Sequence, residues 1–416
     1  MSAQGRDTGI TPPVALRRTI GLPMLVLYGT GVTIGAGIYV LVGETVARAG
    51  QYAPASFLLS AIVMGFTAGS FAELSVRVPQ AAGEAVYVEN AFRRPFLTLA
   101  VGLAVLVEAM IAAAAISLGC AGYLGQLVPL PEPVLVTGIV VAMASIAAWG
   151  IKESVAIAGV MTVIEVLGLL VIIGAGLISD PCSLAKLPEA IPSLSDSVAI
   201  SGVFAASLIA FFAFIGFDDI VNLVEEARDP HRTMPWAIGI TLALVTLVYV
   251  LVSFVAVQTV PAADLATTSA PISLLFERLT GLPPLGITLI AIMATLNGVV
   301  IIIIMAARVT YGLAKEDRLP RWLGRVSPTT RTPLTATVLV AGAVLAMALY
   351  APLDVLAETT SQVMLCVFIM VNLSLLRMKL QGRVPPTGAL TVPTWVPVCG
   401  ALSCAGLLLG ALLGGG

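Results

Sequence analysis

The chain has 416 residues, of which 58% are hydrophobic and 11% charged, with a formal net charge of -2 and a mean hydropathy of +1.04. Soluble domains carry roughly 25% charged residues, so a water-facing surface is excluded and lipid must cover most of the outside. A single histidine, His231, and five scattered cysteines without a CxxC pair leave little material for histidine catalysis, zinc binding or disulfide chemistry. The charge balance gives no argument for nucleic acid.

The first ~20 residues are polar and hold Arg6, Arg17 and Arg18. The apolar run that follows continues to about Val42, which predicts a retained span rather than a cleaved signal peptide. With ~20 apolar residues needed per crossing, spans are expected near 22–43, 53–76, 96–126, 134–150, 155–178, 199–224, 236–258, 284–314, 335–351, 355–376 and 394–413. Short loops on one side hold 18 of the 21 Lys and Arg, leaving only Arg48, Lys186 and Arg278 on the other. The positive-inside rule then places the N-terminus in the cytoplasm, and eleven spans place the C-terminus outside.

Two spans carry glycine in their interior: Thr33-Ile34-Gly35-Ala36-Gly37 in the first and Ile215-Gly216-Phe217 in the sixth. Glycine costs a helix ~1 kcal/mol relative to alanine, and interrupted spans at matching positions of two halves point to a binding site at mid-membrane. Freed N–H groups suit an anion and freed carbonyls a cation, so a zwitterion fits both. The alternative use of these glycines is close helix packing.

Four stretches carry a family resemblance: Gly31 to Gly43, Glu73 to Tyr87, Phe211 to Pro235 and Ala306 to Pro320. In order and spacing they resemble the amino acid–polyamine–organocation superfamily of transporters. The resemblance implies an all-α integral membrane protein of the leucine-transporter-type fold. Its two inverted five-helix repeats would occupy about 22–178 and 199–376 of a single domain, with one peripheral span at about 394–413. It also implies alternating access with amino acids or amines as cargo, no cofactor, and no metal.

By the same resemblance, a cargo carboxylate meets the backbone around Gly35, Ala36 and Gly37, and its ammonium meets the carbonyls of Thr33, Phe212 and Ile215 beside Gly216. Phe212 stands where relatives place an aromatic gate, and Asp218 at an often acidic gating position. Many relatives have an even number of spans, and this chain departs from them in stopping after an eleventh. The stretch from Leu127 to Pro133 lacks the cysteine that joins some relatives to a heavy subunit, so no such partner is expected.

Carboxylates at membrane depth are costly and are functional candidates. Glu165, in span five with Asn297 in span eight as a helper, is the first candidate for binding the coupling ion, H+ or alternatively Na+; Glu108 in span three is the second. A hydrogen-bonded, permanently protonated carboxyl is the plainer reading of Glu165, and selection of a cationic cargo an alternative for Glu108. The mixed-charge stretch Glu225 to Arg232 and a short helix over Gly83 to Phe92 are expected to brace the inward side, whereas Glu44 and Arg48 mark the outer rim. The reading that emerges is a proton-linked amino-acid transporter of the cytoplasmic membrane. Its alternative is a cation-linked carrier or exchanger of amines or polyamines. A membrane enzyme lacks its residue cluster, and a channel its repeated filter.

Overall fold

The computed structural model describes residues 18–80, 83–149, 155–193, 195–315, 317–327, 330, 332–386 and 388–414, and the side chains of 36, 155–158 and 413–414 are outside the description. Arg6, Arg17, Lys152 and Arg331 of the expected inward-facing set lie outside these residues.

Fourteen helices are found among the described residues: α1 Leu22–Ala49, α2 Ala53–Arg77, α3 Gly83–Phe92, α4 Pro95–Gly125, α5 Glu132–Trp149, α6 Val155–Ser179, α7 Ser197–Phe214, α8 Pro230–Thr259, α9 Ala262–Thr267, α10 Pro271–Thr280, α11 Leu285–Lys315, α12 Leu334–Tyr350, α13 Leu353–Leu380 and α14 Trp395–Gly414. Each expected span falls on one of these helices, except that the sixth, 199–224, is helical in α7 only to Phe214. Proline opens α1, α2, α4, α8 and α10, where its missing N–H costs nothing and its φ is already helical. α7 starts instead on Asp196, whose carboxylate accepts the Ala199 N–H at 3.0 Å. Among the described residues, nine stretches are long and apolar enough to cross a membrane. α12, at 17 residues, falls just short, though at 1.5 Å per residue it still spans about 26 Å. At 28 residues α1 is longer than the bilayer core requires and must tilt or protrude.

α1 packs along α7 and α8, α2 along α8, and α4 along α11 and α13. Counterpart helices of the two expected halves therefore face each other at the centre (α1 with α7, α2 with α8, α4 with α11), while α14 leans on α13 and α2 at the edge. Hydroxyls fasten α7 in place: Ser56 and Ser60 of α2 donate to the carbonyls of Val203 and Ser207 at 3.2 and 2.7 Å, and Ser361 of α13 to that of Leu208 at 2.6 Å. Lipid-facing positions are apolar, among them Val160, Leu167, Val171, Val338 and Leu402.

One end of the bundle, called here the basic end, is tied by a buried ionic hub. Glu73, fully buried, pairs with Arg77 at 2.6 Å and with Lys379 of α13 at 2.7 Å, and accepts the Val392 N–H at 2.7 Å. Arg77 also donates to the Arg383 carbonyl at 2.7 Å, and Arg383 to the Asn90 carbonyl of α3 at 2.8 Å. The hub thus joins α2, α3, α13 and the approach to α14.

Candidate functional site

The sixth span breaks in its middle. α7 ends at Phe214, Ile215 is extended (φ -63°, ψ 136°), Gly216 has φ +117°, and a 3-10 turn resumes over Asp218–Leu223. Asp218 holds this geometry by accepting the Gly216 N–H at 3.0 Å. A side chain at Gly216 would be strained by φ and would also approach Val32 of α1 at 3.0 Å. The broken backbone is therefore pressed directly onto the first span.

The expected interruption of the first span is not present. α1 stays helical across Thr33, Gly35, Ala36 and Gly37, so their N–H groups remain bonded within the helix. Gly37 serves close approach instead: a Cβ there would lie 2.6 Å from the Ala213 Cα. Span seven supplies a link absent from the sequence reading. The Tyr249 hydroxyl lies 2.7 Å from the Thr33 carbonyl and 2.9 Å from the Ala213 carbonyl, spanning the α1–α7 crossing. The Phe212 carbonyl accepts the Ile215 N–H at 3.0 Å.

Phe212 itself is buried at 6% exposure. Its neighbours divide into two aromatic groups. Phe214 and Phe57 pack edge-on to Tyr249 at 5.1 and 5.6 Å. Towards the basic end Phe217, Phe71 and Phe368 meet mutually at 5.5–5.8 Å, with Phe211 and Tyr87 at their margins. Edge-to-face pairs of this kind contribute ~0.5–1.5 kcal/mol each beyond their burial, so they seal the space below the break.

The candidate carboxylates fall into two places. Glu165 of α6 is 1% exposed, its Oε1 has no hydrogen-bond partner, and its Oε2 lies 3.9 Å from where a Gly35 Cβ would stand. Its backbone carbonyl accepts the Tyr39 hydroxyl of α1 at 2.7 Å. Asn297 lies on α11 one turn beyond Ala294, whose carbonyl borders Gly35, and no bond among the described residues joins it to Glu165. Glu108 of α4 belongs elsewhere: it faces Asp218 and Asp219. Glu84 of α3, passed over in the sequence, completes this second group by hydrogen-bonding to Asp218. Burial, and then the negative charge of Asp218, push the Glu84 carboxyl well above the usual range, so it is the proton donor of that pair. The sequence signal for Glu84 is its place within the resembling stretch Glu73 to Tyr87, at the start of the short helix α3.

Two further ties flank the crossing. At the basic end, Ile20 donates to the Glu226 carbonyl at 3.0 Å and accepts from the Arg228 N–H at 2.8 Å. The expected brace by the mixed-charge loop thus works through backbone bonds to the start of the first span. At the opposite end Arg48 of α1 pairs with Asp354 of α13 at 3.2 Å and with Glu358. The rim arginine is therefore a cross-helix tie between spans one and ten. All five cysteines are free.

A family model described as Amino acid permease matches residues 20–415. The chain is similar to the Branched-chain amino acid permease BcaP of Bacillus subtilis, 28% identical over 87% of this chain and 81% of the relative. It is also similar to the vacuolar Cationic amino acid transporter 2 of Arabidopsis thaliana, 32% identical over 92% of this chain, although it spans only 62% of that relative's length. A third relative, the Methylthioribose transporter of Bacillus subtilis, is 26% identical over 95% of this chain and 88% of its own length. With a match over nearly all of its length and a bundle of apolar helices built around a broken sixth span, the chain belongs to the amino acid permease family.

Proposed function

We propose that the protein is a secondary transporter of amino acids that works by alternating access in the cytoplasmic membrane, with its basic end towards the cytoplasm. The observation that carries this reading is the break at Ile215-Gly216-Phe217, where unwound backbone deep in an apolar bundle abuts the first span. Backbone polar groups at membrane depth are tolerated only where protein or a polar cavity satisfies them. Such a break therefore suits a site that grips a small polar cargo. The glycines Gly35 and Gly37 give α1 the low helical stability needed to open opposite the break, so that a carboxylate binds N–H groups freed around Ala36 while the ammonium meets the Phe212 and Ile215 carbonyls. Opening also frees the Thr33 carbonyl from Tyr249. Phe212 closes over the bound cargo.

The ties at the two ends supply the alternating barriers. Arg48 with Asp354 and Glu358 closes the outer side. The Ile20 bridge and the aromatic group around Phe217 close the inner one. Glu165, buried with Oε1 unsatisfied and Oε2 beside Gly35, takes the coupling proton, which neutralises it and lets α1 reseat; Asn297 comes within reach if α1 and α11 shift.

A second reading, a carrier of cationic amino acids or amines, is favoured by one observation: the carboxyl groups of Glu84, Glu108, Asp218 and Asp219 cluster below the break. The names of two relatives, one for branched-chain and one for cationic amino acids, span the same choice. Purified protein in liposomes, offered a labelled panel of amino acids and amines with and without a proton gradient, separates these readings. Glu165→Gln is expected to abolish gradient-driven accumulation and to retain cargo exchange. Unchanged accumulation in this variant rejects the coupling role.

A further inference from the structure

At the end of the bundle opposite the basic loops, a cavity of about 260 Å³ lies between the ends of α6 and α8, the 3-10 stretch Ser183–Ala190, and α10. Its floor is apolar, formed by Phe254, Val255 and Leu279. Gly176 and Val255 press together there, with only 2.4 Å between a Gly176 Cβ position and the valine side chain. Its upper wall is polar. Ser183 is 5% exposed, and its Oγ has no hydrogen-bond partner although it lines the cavity. A buried hydroxyl left in this condition is costly, and a ligand that accepts its proton removes the cost.

The charged groups on the same wall have a zwitterionic pattern. Arg278 reaches Asp264 through one long bond of 3.5 Å, which engages one of its five N–H donors. Lys186 pairs with Asp180 at 2.9 Å, and Lys186 holds the Asp180 carboxyl below the usual carboxylate range. Asp180 is consequently a lasting negative charge on the wall that also presents Arg278 and Ser183. The lining thus presents a carboxylate together with the cations Lys186 and Arg278, so a ligand bearing both an ammonium and a carboxylate finds a counter-charge for each. Drug-sized ligands occupy ~300–1,000 Å³, so this space suits something smaller.

We infer that this cavity is a second, outer amino-acid site, separate from the α1–α7 crossing, which holds a carboxylate on Arg278 and Ser183 and an ammonium on Asp180. The inference rests on the reading that amino acids are the cargo. Because the cavity opens at the outer end, its occupant is captured before the central site is reached.

The test counts bound probe on full-length protein in phosphatidylcholine nanodiscs, using labelled L-leucine and labelled L-arginine, and measures uptake of the same probes into liposomes. For a probe that is taken up, two molecules per chain are expected at saturation in the wild type. One per chain is expected in a Ser183→Ala, Arg278→Gln double variant that still accumulates the probe at saturating concentration. One molecule per chain in both proteins, with uptake intact, overturns the second site and leaves the cargo reading standing. A phospholipid found by native mass spectrometry on the wild type and absent from the variant also overturns it. If the wild type neither binds nor accumulates either probe, the cargo reading fails, and the outer site fails with it.

Discussion

At Gly216 a single residue type permits the break, because φ of +117° and the 3.0 Å approach of Val32 both exclude a side chain. Gly216→Ala is expected to lower stability by ~1–3 kcal/mol, the usual range for a strained backbone position; thermal unfolding in detergent checks this, and transport should fall with it. Tyr249→Phe removes the hydroxyl between the Thr33 and Ala213 carbonyls and should cost about 1–3 kcal/mol if those acceptors stay buried. The same deletion loosens the α1–α7 crossing, so protection of α1 amides in hydrogen exchange should drop. The glycine was visible in the sequence as an interruption of an apolar span, although close helix packing is the other use of glycine there. The tyrosine was not, since a 3.6-residue pattern shows which face of α8 is buried but not which carbonyls its residues meet. For the same reason Glu84 and Asp218, far apart in the chain, gave no sign of sharing a proton.

Two helices with similar glycine content behave differently, and their surroundings explain it. α7 is followed by Asp218, which caps the Gly216 N–H and stabilises the non-helical turn. In α1 no comparable capping bond accompanies Gly35 or Gly37, and Gly37 is fully used by the contact with Ala213. Glycine spacing could suggest a break in either span; the capping carboxylate decides between them. The spans themselves were readable from apolar length alone, because lipid imposes it. The ties between elements were not. In the hub at the basic end, Glu73 faces two cations while fully buried. Removing one partner of a buried pair typically costs 3–5 kcal/mol, roughly, because the other charge is stranded. Arg77→Ala should therefore lower the unfolding temperature strongly, and Glu73→Gln with Arg77→Met less than either change alone. Arg48 is different. It and Asp354 are about one-third exposed, and such pairs contribute ~0–1 kcal/mol. Arg48→Ala should leave stability nearly unchanged, which thermal unfolding in detergent checks.

Over the whole molecule, charge is arranged by end and by depth. The inner side of the break collects Glu84, Glu108, Asp218 and Asp219, and Glu84 is held protonated by burial and by Asp218. A carboxyl raised in the folded state contributes stability that is fully present below its ordinary value near 4.5 and is lost as pH rises through the folded value. Glu84→Gln should accordingly leave the unfolding temperature unchanged at pH 4 and raise it at pH 8. Whole-chain features such as the apolar stretches and the uneven placing of Lys and Arg between them were readable from the order of residue types alone. The packing of α1 against α7, α2 against α8 and α4 against α11 is a matter of tertiary contact that composition alone does not reveal. The broken turn between Phe214 and Asp218 lies against the first of these partners, with Gly216 pressed onto Val32 of α1. The most direct measurement is an experimental structure in lipid nanodiscs, at saturating concentration of an amino acid the protein accumulates. Density for the cargo is expected between Gly35–Gly37 and Phe212–Gly216, with α1 unwound there and the Tyr249 hydroxyl no longer on Thr33. A bound cargo lying elsewhere, with α1 still helical from Leu22 to Ala49, would contradict it.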